Sequence, residues 1–117
     1  MGETNVAELS YRFALRIVKL DEYLQAKRQF SLANQILRSG TSIGALVAEA
    51  QYAQSKADFV NKLHIALKEA RETRYWLRLL HDSRYLETKI YTSLLSDVES
   101  LIRILTKSIN TTKATVK

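Results

Sequence analysis

Apolar residues recur every three or four positions along four stretches of the chain, and this spacing places them on one face of an α-helix. Asn5 and Ser31 are predicted to be N-caps, because short polar side chains accept hydrogen bonds from the first helical turn. Glu8 is predicted to complete a capping box with Asn5. The polar residues 111–117 are predicted to form a frayed tail. The four predicted helices cover about 5–27, 31–52, 56–81 and 85–110.

The connections between these helices are short, and short connections make consecutive helices antiparallel. The 117 residues suffice for one hydrophobic core, so a single domain over 1–117 is predicted. The chain contains no proline and only three glycines, too few for the many turns of a β-protein. The predicted fold is therefore all-α, an antiparallel up-down-up-down four-helix bundle.

The second helix has little charge to present to water, because residues 31–54 carry only Arg38 and Glu49. It also contains Gly40 and Gly44, and each glycine destabilises a helix interior by about 1 kcal/mol relative to alanine. The low charge suggests that the second helix is covered on more than one side. The glycines suggest close approach by a neighbouring helix or subunit, with a bend at Gly44. A homo-oligomer is therefore predicted, although exposure of the small polar residues remains an alternative. The fourth helix carries a second apolar seam of Leu95, Ile102 and Ile109.

The charge balance favours acidic partners, nucleic acid first, because the net charge is +6 and the pI about 9.7. RNA or DNA would bind through phosphate contacts with little base specificity. The alternative is a solvated face of ion pairs, such as Lys68 with Glu72, on a protein–protein interaction scaffold. The stretch YWLRLL at 75–80 is a candidate base-stacking platform but favours packing. The predicted nucleic-acid-binding residues form two helical rows, Arg12, Arg16 and Lys19 on the first helix and Lys68, Arg71, Arg74 and Arg78 on the third.

No motif for catalysis, cofactor or metal binding is present in the sequence. Two histidines, His64 and His81, cannot supply a di-iron site, and no cysteine is available. Neither glycine belongs to a phosphate-binding loop, since no Gly-Lys-Ser/Thr follows. Glu49 and Glu69 are predicted to form structural ion pairs, with Arg38 or Arg71 as the candidate partner. The chain is predicted to be a non-enzyme without cofactors. No apolar run is long enough to span a membrane, so a cytoplasmic location is predicted.

Three segments carry a family resemblance, namely SGTSIGALVAEA (39–50), SKADFVNKLHIALKEARET (55–73) and YWLRLL (75–80). They resemble the small bacterial four-helix-bundle proteins named after 23S rRNA intervening sequences, also labelled S23. Members often carry SIPANIAEG where this chain has SIGALVAEA, so Gly44 stands where proline is frequent and Leu46 where asparagine is frequent. The resemblance covers about 100 residues.

The resemblance implies partners more than chemistry. Members are encoded within insertions in 23S rRNA genes or stand alone. A related branch comprises accessory proteins of diversity-generating retroelements, which form basic homopentamers that bind a reverse transcriptase and nucleic acid. A homopentamer and a reverse-transcriptase partner are therefore implied by resemblance alone.

Overall fold

A computed structural model describes residues 5–115 of the chain and contains four α-helices within that range. The first three pack in chain order, and the fourth returns to contact the first. Connections of three to five residues join the helices, so consecutive helices run in opposite directions. The predicted all-α four-helix bundle is confirmed. The helices are α1 (Val6–Ala26), α2 (Phe30–Ala50), α3 (Lys56–Asp82) and α4 (Thr88–Ala114).

The helix starts follow local hydrogen bonding. The Asn5 side chain accepts hydrogen bonds from the backbone N–H groups of Ala7 and Glu8, so the predicted N-cap of α1 is confirmed. The prediction of Ser31 as the second N-cap was wrong, because α2 begins one residue earlier at Phe30. Its N-cap position is Gln29, whose side chain makes no capping bond.

Two turns at the same end of the bundle share one geometry. Arg28 after α1 and Arg84 after α3 have φ values of 62° and 69°, in the left-handed region that usually favours glycine. The next N–H in each turn reaches back five residues, from Gln29 to Leu24 and from Tyr85 to Leu80, at 2.9 Å in both cases. These bonds satisfy carbonyls at the helix ends and reverse the chain sharply.

The C-terminal helix is longer than the sequence suggested. The prediction of a frayed tail after residue 110 was wrong for residues 111–114, because α4 continues to Ala114. Thr112 supports this last turn, since its hydroxyl donates to the Ser108 carbonyl at 2.8 Å. Residues 116–117 of the predicted tail lie outside the described residues.

The core lies along the bundle axis and is built mainly from apolar residues spaced three or four positions apart on each helix; Ile90, which the spacing also placed in the α4 seam, is instead 41% exposed. Fully buried side chains come from all four helices, so each amphipathic stripe faces inward. The predicted second seam of α4 is largely part of the same core: Ile109 is buried, and Leu95 and Ile102 are half-buried against it. No helix in the described range is long and apolar enough to cross a membrane.

The two glycines of α2 allow α1 to approach closely. The sequence predicted close approach by either a neighbouring helix or a second subunit, and the structure shows the neighbouring helix. A Cβ at Gly40 would lie 2.8 Å from Ile17 Cγ1, inside normal contact distance. A Cβ at Gly44 would lie 3.2 Å from the backbone carbonyl oxygen of Ser10. Helix α2 runs unbroken through both positions. The packing within one chain therefore accounts for these glycines without a second subunit.

Candidate nucleic-acid interface

The charges of α3 are divided between two sides of the helix. Its acids Glu69 and Glu72 face α2, where both carboxylates form ion pairs with Arg38. The Arg38–Glu69 distance is 3.2 Å, and the Glu69 side chain is only 16% exposed. The predicted structural ion pair of Glu69 is confirmed, and of the two candidate partners it is Arg38 that forms it. Arg38 thus compensates part of the negative charge on this side of α3, and these two acids do not pair with the arginines on the other side.

The basic side of α3 borders a groove against α4. Arg71, Arg74 and Arg78 all line this groove, which has a volume of about 400 Å³. Arg71 and Arg74 are exposed and form no ion pair with any residue between 5 and 115. Arg78 makes one exposed pair with Asp82 at 3.7 Å. The structure therefore brings the three arginines of the predicted row together on one wall of a groove, with most of their positive charge available.

The remaining charges near this groove are few. Lys68 lies exposed one turn before Glu72, but the predicted ion pair between them does not form. The Glu72 carboxylate instead contacts Arg38 and accepts a hydrogen bond from the Trp76 indole N–H at 2.9 Å. On the opposite wall, Glu99 of α4 is the single carboxylate among the described lining residues.

The predicted basic row of α1 has a different electrostatic setting. Arg12 pairs with Glu8 at 3.6 Å, and Lys19 pairs with Glu22 at 3.7 Å. The Arg16 guanidinium reaches across to α4 and contacts Asp97 at 2.7 Å, with both side chains partly buried. The three cations of this row thus each have a carboxylate partner, which reduces the field that they present to a phosphate.

The two aromatic residues of YWLRLL occupy different environments. Trp76 is half-buried and held by its hydrogen bond to Glu72. Tyr75 is 59% exposed and lines the groove beside the arginines. The two rings meet edge to face, with centroids 5.0 Å apart. The predicted packing role fits Trp76, whereas Tyr75 presents its ring to solvent.

The side chain of His81 makes contacts that join α3 to α4, and the sequence did not suggest these contacts. The His81 ring stacks on Tyr91 with centroids 4.3 Å apart. Its Nε2 lies 3.0 Å from the Thr88 hydroxyl oxygen, and its Nδ1 lies 3.2 Å from an Asp82 carboxylate oxygen. These contacts connect the last turn of α3 to the first turn of α4 and fix one end of the groove. No three potential metal-ligating side chains cluster in the described part of the chain.

The helical bundle and the groove with one basic wall define a small basic α-helical protein. The model of the 23S rRNA-intervening sequence protein family matches residues 2–107, and the chain belongs to that family. A crystal structure of a protein with unknown function from the S23 ribosomal protein family of Bacteroides thetaiotaomicron VPI-5482 is 48% identical, with a TM-score of 0.88. The match covers 90% of this chain and 98% of that one. A comparison with curated proteins found no match. The relation to retroelement accessory proteins stays a prediction.

Proposed function

We propose that this protein is a nucleic-acid-binding module that acts as an accessory component of a ribonucleoprotein. The observation that carries the proposal is the divided charge of α3. Arg38 engages both acids on one side of this helix, and Arg71 and Arg74 stand unpaired, among the described residues, on the other. The proposed role involves no catalytic step.

The groove suits a phosphate backbone better than base edges. Arg71 and Arg78 are seven residues apart, which corresponds to about 10 Å along the helix. A guanidinium can form two parallel hydrogen bonds to one phosphate, and such contacts position a nucleic acid without reading its sequence. We therefore expect low sequence specificity and strong salt dependence.

A binding titration with two charge-matched variants tests this proposal. Arg71→Ala/Arg74→Ala removes two unpaired cations from the groove, and Arg12→Ala/Lys19→Ala removes two ion-paired cations from α1. Both variants lose the same net charge, and all four side chains are exposed, so folding should be little affected. We expect wild type to bind structured RNA or duplex DNA at low salt and the groove variant to lose far more affinity than the α1 variant. No binding by wild type at low salt, or equal losses in both variants, would contradict the proposal.

A second proposal concerns self-association, and a different surface supports it. Tyr11, Leu15 and Val18 face outward from α1 with exposures of 62%, 50% and 38%. Tyr11 lines a groove with the exposed Ala45 and Ala48 of α2, in the stretch 39–48 that contains no charged residue. We propose that this apolar patch, rather than the predicted seam of α4, contacts a second copy of the chain. Exposed large apolar side chains that lie close together are typical of protein interfaces.

Light scattering tests the self-association proposal. Wild type should have a mass of two or more times the 13.4 kDa of one chain. Leu15→Glu should shift the population toward monomer, because it places a charge in the proposed contact. Ile65→Glu, a change at an apolar residue of α3 with 38% exposure, is the matched control and should leave the mass unchanged. A monomeric wild type would refute the proposal, as would dissociation by both variants alike.

A further inference from the structure

We propose that Tyr75 stacks on one unpaired base, so that the groove prefers single-stranded over duplex nucleic acid. This inference rests on the proposed nucleic-acid-binding function and specifies its ligand. Its basis is an exposed aromatic ring that lies between Arg71 and Arg78, in a groove where Arg71 and Arg74 form no ion pair with any described residue. Grooves that bind single strands combine these two elements, because every base has a face that can stack and every nucleotide has a phosphate.

The ring of Tyr75 is held in place from behind. Its neighbour Trp76 packs against it edge to face, at an interplanar angle of 73°. Trp76 is in turn fixed by its hydrogen bond to Glu72, whose carboxylate is paired with Arg38. This chain of contacts restrains one side of the ring, while 59% of the residue remains exposed. A restrained aromatic side chain loses less conformational entropy when a ligand binds.

Among the described aromatic residues that line the groove, Tyr75 is the one whose ring is available to stack on a base. The groove has one other aromatic residue in its lining, Tyr91, and that ring already lies parallel to the His81 ring within 10°. Arg71 lies one turn before Tyr75, and Arg78 lies almost one turn after it. A base on the Tyr75 ring would therefore place its flanking phosphates near cations on both sides.

Single-strand preference follows from the geometry of stacking. In a duplex, neighbouring bases cover both faces of an internal base, so the Tyr75 ring cannot stack on it. An unpaired nucleotide exposes its base, and stacking on an aromatic side chain strengthens binding by about 5-fold to 150-fold per base. The cationic wall acts on both kinds of ligand, whereas the ring acts only on unpaired bases.

The experiment compares Tyr75→Ala with Tyr75→Phe by fluorescence anisotropy, using labelled oligonucleotides of one length. The probes are an oligouridine RNA, an oligothymidine DNA, a fully abasic strand and a duplex. We expect Tyr75→Ala to weaken binding of either base-bearing strand by at least about 5-fold, and Tyr75→Phe to bind like wild type because it retains the ring. Binding of the abasic strand and the duplex should be unchanged in both variants. A loss with the RNA, the DNA or both supports the proposal and identifies which strand supplies the base.

Other outcomes separate this inference from the function on which it rests. If Arg71→Ala/Arg74→Ala weakens binding but Tyr75→Ala binds all four probes like wild type, the stacking inference is wrong and the proposed function stands. The same holds if Tyr75→Ala weakens binding of the abasic strand as much as that of the base-bearing strands. If wild type binds none of the probes at low salt, both proposals are wrong.

Discussion

Replacing Gly40 by alanine tests the close contact between α1 and α2. The new Cβ would lie 2.8 and 2.9 Å from the two γ carbons of Ile17, a fully buried residue. Ile17 is β-branched and therefore stiff at χ1, so relief of the contact requires backbone movement. Overpacking of this kind costs about 1–3 kcal/mol, and the better helix propensity of alanine offsets about 1 kcal/mol. We expect Gly40→Ala to lower the free energy of unfolding by about 1 kcal/mol.

A double-mutant cycle isolates the contact from helix propensity. Ile17→Ala removes both γ carbons and leaves only the 3.3 Å approach of its Cβ. In that background, Gly40→Ala should stabilise the protein by about 1 kcal/mol, so the two substitutions should be coupled by about 2 kcal/mol. Ala45→Gly, on the exposed side of α2, calibrates the propensity effect in the same helix.

Urea unfolding at one protein concentration, followed by helical circular dichroism, measures these free energies. The account of the glycine predicts opposite signs for Gly40→Ala in the two backgrounds. If Gly40→Ala stabilises wild type as much as Ala45→Gly destabilises it, the new Cβ does not crowd the Ile17 side chain, and the reasoning is refuted.

Three further predictions follow from the turns and the charges. Arg84→Gly should raise the free energy of unfolding by roughly 0.5–1 kcal/mol, because φ is 69° at this residue and glycine adopts that conformation without steric cost; a lower midpoint in thermal unfolding would contradict this. Arg38→Ala should lower the free energy of unfolding by about 1–3 kcal/mol, because the mostly buried Glu69 loses its partner. Arg12→Ala removes an exposed ion pair and should lower it by less than ~0.5 kcal/mol. Equal losses in urea unfolding would refute this distinction. Glu99→Gln should strengthen nucleic-acid binding in the same titrations, since it removes the carboxylate that faces the basic wall, and unchanged or weaker binding would argue against a ligand in this groove.

The fold was predictable because its determinants are local and periodic. Each core position lies three or four residues from the next, so the face that a helix buries can be read without its neighbours. The left-handed turn residues were not predictable in this way. Arg28 and Arg84 occupy positions where glycine is the usual signal, and an arginine there looks like any other surface residue.

The candidate interface was predictable only in part, because charge compensation depends on the neighbouring helices. The α1 and α3 rows both consist of cations three or four residues apart in the sequence. The two rows differ in their ion pairs, and some of these pairs involve residues that are distant in the sequence. Arg16 of α1 contacts Asp97, which is 81 residues away, and Arg38 of α2 pairs with the acids of α3. Tyr75 and Trp76 are likewise adjacent in the sequence, yet only the packed structure shows which ring is exposed. Sequence spacing identifies which residues share a face, and tertiary contacts decide which of them remain available.

The most direct test of the central claim is the salt dependence of duplex DNA binding by wild type and by Arg71→Ala/Arg74→Ala. Each phosphate contact contributes about −0.9 to the slope of log K against log salt. If Arg71 and Arg74 contact phosphates, the variant's slope should be shallower than that of wild type by about 1.8. Identical slopes would show that these arginines do not contact the nucleic acid and would contradict the proposed interface.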